Sequence, residues 1–82
     1  MWNRPRDHRI VGEILATARR RQDVTQVELA QRLSKPQSFV SAFESGQRRV
    51  DTLELLRIAD ALSISPSDIF QEIVRAFEGR RL

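Results

Sequence analysis

The chain has 82 residues, a formal net charge of +3 and no cysteine, and Lys35 is the only lysine among its 14 basic residues. That length supports one domain with a modest core, and the lack of cysteine excludes a disulfide framework or a thiolate metal site. No apolar run approaches the roughly 18 residues that cross a bilayer, and the opening "MWNRPRDHR" lacks the apolar stretch of a secretory signal, so a cytoplasmic protein is expected, with no membrane partner.

Helix signals recur along the whole chain, and no alternation of apolar and polar residues is long enough for a strand. Residues 1–6 form a basic segment in which Arg4 and Arg6, with Arg9 just beyond, are either a disordered tail or an arm that tracks DNA. A first helix is expected from about Asp7 to Gln22, with Val11, Ile14, Leu15 and Ala18 at the spacing of one face. Thr25 and Glu28 form a capping box for a second helix at 25–33, with Leu29, Ala30 and Leu33 turned inward. Pro36 suits the start, and Gly46 the left-handed end, of a third helix at 36–45. Asp51 and Glu54 repeat the capping spacing before a fourth helix at 51–62, and Ser65, Pro66 and Asp68 open a fifth at 66–78. The fold class is therefore all-α: five helices and short loops in one domain spanning 1–82.

His8 has no second ligand at a metal-binding spacing, the serines have no accompanying base, and no glycine loop is built to cradle phosphate. No catalytic residue, metal or cofactor is assigned, and an enzyme is not expected.

The third helix carries the most informative pattern. At 100° per residue, Phe39, Val40, Phe43 and Glu44 fall on one side, while Gln37, Ser38, Ser41, Ala42 and Ser45 fall on the other. The second face is polar, short and uncharged. Such a face is compatible with plain solvent exposure, and equally with close approach to base edges: glutamine can pair with adenine, serine with several edges, and alanine with the thymine methyl. Lys35, Arg48 and Arg49 flank it, where they could meet phosphates. Arginine's planar fork suits phosphate and guanine, although a charge of this size also serves solubility alone.

Residues 24–69, "VTQVELAQRLSKPQSFVSAFESGQRRVDTLELLRIADALSISPSDI", resemble the helix-turn-helix domain of the Xre/Cro family, the lambda-repressor-like regulators. The resemblance rests on Gln26, "ELA" at 28–30, Val40 and Phe43, "ESG" at 44–46 and "LLRIADAL" at 55–62. It implies that Gln37, Ser38, Ser41 and Ala42 face bases in the major groove of double-stranded DNA. It also implies that Gln26 meets a phosphate and braces Gln37, and that Lys35, Ser45, Arg48 and Arg49 lie along the DNA backbone. Arg19 and Glu44 match a pair that joins the first helix to the recognition helix. Three positions depart from the family pattern. Ser34 stands where the turn usually has glycine, Pro36 where a serine or threonine caps the helix, and Ala42 where many relatives have a long polar side chain.

The last helix carries Ile69, Phe70, Ile73, Val74 and Phe77. Core packing accounts for Ile69 and Phe70; Ile73, Val74 and Phe77, with Leu55 or Leu82, are the candidates for a homodimer interface within about 70–82. The expected function is a homodimeric repressor on a two-fold symmetric operator. The competing readings are an antitoxin or other module that holds a partner protein, and a controller of restriction-modification genes.

Overall fold

The computed structural model describes residues 5–79, in which five α-helices follow one another: α1 (Pro5–Arg21), α2 (Gln26–Arg32), α3 (Gln37–Glu44), α4 (Thr52–Ala61) and α5 (Pro66–Phe77). No strand occurs among the described residues. This is the all-α order expected from the sequence, and the expected bounds differ chiefly by counting the cap residues. The exception is α1, which starts at Pro5, so Arg6 and Arg9 ride on a helix rather than in a tail or free arm. Residues 1–4, including Trp2 and Arg4, and residues 80–82, including Leu82, lie outside the described residues.

Local chemistry sets each helix boundary. At the head of α2, the Glu28 N–H donates to Thr25 Oγ1 at 3.1 Å and the Thr25 N–H donates to Glu28 Oε1 at 2.8 Å. The same reciprocal pair opens α4, with Glu54 N–H to Asp51 Oδ1 at 2.7 Å and Asp51 N–H to Glu54 Oε1 at 3.1 Å. Each such cap contributes about 1 kcal/mol. These bonds hold the Glu28 carboxyl below the usual carboxylate range, the Thr25 N–H contributing most. At the helix ends, Asp23, Ser34 and Ser63 all take the left-handed conformation at φ 56°. Each is followed by a residue whose N–H reaches back five positions: Val24 to the Arg19 carbonyl, Lys35 to Ala30 and Ile64 to Ala59. These closures recover carbonyls that would otherwise be orphaned, at a backbone cost on the order of 1 kcal/mol for a non-glycine residue. Ser34 thus accepts the conformation that glycine would have taken freely in the helix-turn-helix turn.

Leu15, Leu29, Val40, Phe43, Ile58, Leu62 and Ile69 are fully buried and draw all five helices onto one core. Two glycines let α1 pass across the end of α3. A Cβ on Gly12 would lie 2.3 Å from the Phe43 carbonyl oxygen and 2.5 Å from that of Glu44. Gly46, at φ 82°, would place a Cβ 2.6 Å from the Arg9 Cα. Nothing bulkier fits at either point, so the position of α3 depends on backbone contact with α1.

The last helix differs from expectation in which residues it buries. Ile69 is in the core, but Phe70, expected beside it, is 57% exposed. Ile73 and Leu55, both interface candidates, are partly buried against the core, and Leu55 also lines a groove between α4 and α5. Val74 is 44% exposed and shares the outer side of the helix with Phe70, while Phe77 is half-buried. The reason is register: α5 is wedged against both α1 and α4, so Ile69 and Ile73, four residues apart, point inward and Phe70 and Val74 point outward. Leu53 and Leu56 of α4 are also exposed, and Leu56 and Phe70 line a shared groove. No described helix is long and apolar enough to cross a membrane.

Candidate nucleic-acid interface

α2 and α3 are joined by the tight turn at Leu33–Pro36 and pack against each other. Pro36 sits at the N-cap of α3 with φ −70° and ψ 157°, an extended conformation that its ring favours, and supplies no side-chain cap. The helix therefore starts one residue after the proline. Val40 and Phe43 are completely buried behind it, and Phe39 meets the Phe43 ring edge-on at 5.7 Å. With that side fastened, Gln37, Ser38, Ser41 and Ser45 are exposed and Ala42 is half-buried on the opposite side. The structure thus brings the expected base-facing residues together on one surface without a charged side chain among them.

The far end of α3 is fixed by an ion pair. Arg19 Nε donates to Glu44 Oε2 at 2.7 Å and Nη2 donates to Glu44 Oε1 at 3.1 Å, while Nη1 donates to the Val24 carbonyl at 2.8 Å. Both side chains are more than 90% buried. A carboxylate at a helix C-terminus opposes the helix dipole, and the arginine supplies the compensating charge while tying α1 and its following loop to α3. Gln26 Nε2 donates to Glu44 Oε1 at 2.8 Å, and Gln37 Nε2 donates to Gln26 Oε1 at 3.3 Å. Gln26 therefore braces Gln37 directly.

The flanking cations have unequal freedom. Lys35 is exposed, with its ammonium 5.4 Å from the Phe39 ring centre. Arg48 is held: its two guanidinium nitrogens donate to the two Glu54 oxygens at 2.8 and 2.6 Å, Nη1 also donates to the Arg49 carbonyl, and the guanidinium lies 4.6 Å from the Phe39 ring centre. This clamp fastens the α3–α4 loop to α4. No cue in the spacing of Arg48 and Glu54 announces it, because the partner lies six residues on and across a turn. The Arg48 guanidinium, chiefly, and the Asp51 N–H hold the Glu54 carboxyl below the usual carboxylate range. A depressed folded-state value means that the clamp's contribution is complete above the unfolded carboxylate value and is lost as the pH falls through the folded one. The Ser45 hydroxyl donates to the Ala42 carbonyl at 3.1 Å, which turns it toward its own helix end. Arg49 is exposed beyond the clamp.

Gly12, Glu54 and Phe39 are the supporting residues that the sequence pattern did not single out for the site. Phe39 could have been found from its place between Lys35 and Arg48, since an aromatic face attracts cations. No group of residues suited to a metal ion occurs among the described residues.

The helix-turn-helix family model matches residues 15–69. An XRE-family like protein from Pseudomonas syringae pv. tomato str. DC3000 shares the fold with a TM-score of 0.76 and 31% identity, covering 85% of each chain. The restriction-modification controller protein C.AhdI from Aeromonas hydrophila is 33% identical with a TM-score of 0.72, over 78% of this chain and 97% of that one. The clp gene regulator ClgR from C. glutamicum, at 24% identity, matches in fold with a TM-score of 0.81 over 90% of this chain and 96% of its own. A comparison with curated protein sequences yields no match. With its α2–turn–α3 unit, buried rear face and uncharged outer face, the chain belongs to the XRE family of helix-turn-helix DNA-binding transcriptional regulators.

Proposed function

We propose that this regulator is a sequence-specific repressor, a binding protein rather than an enzyme, that acts as a homodimer on a two-fold symmetric operator in double-stranded DNA. The observation that carries the reading is α3, whose exposed Gln37, Ser38 and Ser41 form an uncharged surface held rigid by Val40 and Phe43. Such a surface admits base edges without desolvating a charge. Lys35 and Arg49 lie to either side for phosphates, and the α3 N-terminus, without a side-chain cap, suits a further phosphate oxygen. Gln37→Ala is expected to cost about 1–3 kcal/mol on the cognate duplex and almost nothing on a scrambled one; equal losses in a paired titration would remove Gln37 from base reading.

Two copies would place their recognition helices in successive major grooves about 34 Å apart. Occupancy of such a site is enough to block polymerase. The surface for self-association is the one formed by Leu53, Leu56, Phe70 and Val74, exposed by 56, 45, 57 and 44%. Phe70→Asp with Val74→Asp is expected to give monomers in sedimentation without unfolding the domain, because both side chains lie outside the core; persisting dimers would move the interface elsewhere. The same surface supports a second reading, in which it holds an unrelated protein, as an antitoxin would. A stoichiometric partner together with the absence of salt-sensitive DNA binding would favour that reading. The likeness to C.AhdI supports a restriction-modification controller as the subtype of regulator.

A further inference from the structure

Arg48 follows α3 in the loop that flanks the proposed DNA face, and its charge is already met within the fold. Nη1 and Nη2 donate to the two Glu54 oxygens at 2.8 and 2.6 Å, Nη1 also donates to the Arg49 carbonyl, and the guanidinium lies 4.6 Å from the Phe39 ring centre. We propose that Glu54 withholds the Arg48 charge from DNA phosphates and so limits binding to sequences other than the operator. This role rests on the DNA binding of the family and not on base reading by α3.

Glu54 is anchored by its own helix. Its Oε1 also accepts the Asp51 N–H at 3.1 Å as one half of the α4 cap, and its side chain is 19% exposed against 41% for Arg48. To reach a phosphate, Arg48 would give up both bonds to the carboxylate while Glu54 stayed behind. Two-pronged pairing of an arginine with a carboxylate is among the stronger hydrogen-bonded contacts. Phe39 is set edge-on against the buried Phe43 at 5.7 Å, so the ring beside the guanidinium is fixed as well. Glu54 also lines a small cavity with Lys35 and Arg57, which puts this one carboxylate among three cations.

A guanidinium has five N–H groups, and those left after these bonds are one on Nε and one on Nη2. A phosphate could approach that second fork. Arg48 and Glu54 together carry no net charge, however, so such a contact would release no counterion from DNA. Binding without regard to sequence is supplied by cations at phosphates, each steepening the salt dependence by about 0.9 unit. A regulator searching among a great excess of wrong sequences must leave them quickly, and one cation withheld shortens its stay on all of them.

The test titrates the full chain against a scrambled duplex by fluorescence anisotropy over a range of salt. Glu54→Gln removes the carboxylate charge and keeps an acceptor for the Asp51 N–H, since glutamine also closes a capping box. It is expected to bind the scrambled duplex about three- to tenfold more tightly at low salt and to steepen the salt slope by about one unit. Adding Arg48→Met to Glu54→Gln removes the pair together and should return the slope to within about a third of a unit of the parent's. Asp60→Asn, exposed elsewhere on α4, removes the same charge without touching Arg48 and should move the slope by less than about half a unit. An unchanged slope for Glu54→Gln overturns the inference, as does an equal steepening for Asp60→Asn. A double variant whose slope falls about a full unit below the parent's also overturns it, because Arg48 would then meet a phosphate in spite of its partner. In the parent itself, the slowed rotation of the Arg48 Nη groups seen by nitrogen NMR should persist when the scrambled duplex is added; its loss overturns the inference whatever the variants do. A parent without salt-sensitive binding to any duplex overturns DNA binding itself, and the inference with it.

Discussion

Glu44→Ala is expected to lower the stability of the domain by about 3–5 kcal/mol, the usual cost of leaving one member of a buried ion pair without its partner. The substitution would strand the Arg19 guanidinium, 9% exposed, with only the Val24 carbonyl as an acceptor among its present bonds. It would also remove the acceptor of Gln26 and free the C-terminal end of α3 from α1. For a chain of 82 residues, with a total stability of about 4–12 kcal/mol, that loss would remove from about a quarter to the whole of it. Urea unfolding followed by circular dichroism reads the effect directly. A loss below about 1 kcal/mol would mean that the pair contributes no more than a surface salt bridge and that α3 is held by its apolar side alone.

Gly12→Ala is expected to destabilise by about 2 kcal/mol or more, although alanine inside a helix ordinarily gains about 1 kcal/mol over glycine. The sign reverses because the added methyl would sit 2.3 and 2.5 Å from two backbone carbonyl oxygens at the end of α3. These are backbone atoms and cannot swing aside as a flexible side chain would. Relief requires α1 and α3 to separate, which stretches the Arg19–Glu44 pair, so affinity for DNA should fall along with the unfolding midpoint. An unchanged or raised midpoint would show that the helices part without penalty and that close packing of α1 on α3 is not what positions the recognition helix.

The parts of this fold legible in the sequence are those governed by neighbours along the chain. The Thr25/Glu28 and Asp51/Glu54 caps, the left-handed Ser34 and Gly46, and the division of α3 into a buried and an open face each depend on residues within a turn or two. Contacts across the fold were less visible. Phe70 looked like core because it follows Ile69 in an apolar stripe, but the wedge of α5 between α1 and α4 decides which of the two turns inward. The sequence places Arg48 as a cation after the recognition helix but does not show that Glu54 engages both of its terminal nitrogens. Gly12 carries no signal at all in one sequence: its reason is the backbone of a helix about thirty residues away, and close approaches of that kind are a property of packing. The outer-face residues of α3 are legible as a set and the brace of Gln37 by Gln26 is implied by the resemblance, while the bond of Gln26 to Glu44 comes only with the distances.

In the proposed complex α3 reads base edges in two half-sites related by two-fold symmetry. Selection of bound sequences from a random duplex library addresses it most directly. An enriched inverted repeat is expected, its half-sites centred about 10 bp apart, one helical turn or about 34 Å. Enrichment of no sequence, or of a single half-site without a symmetric mate by a protein that sediments as a dimer, would contradict it.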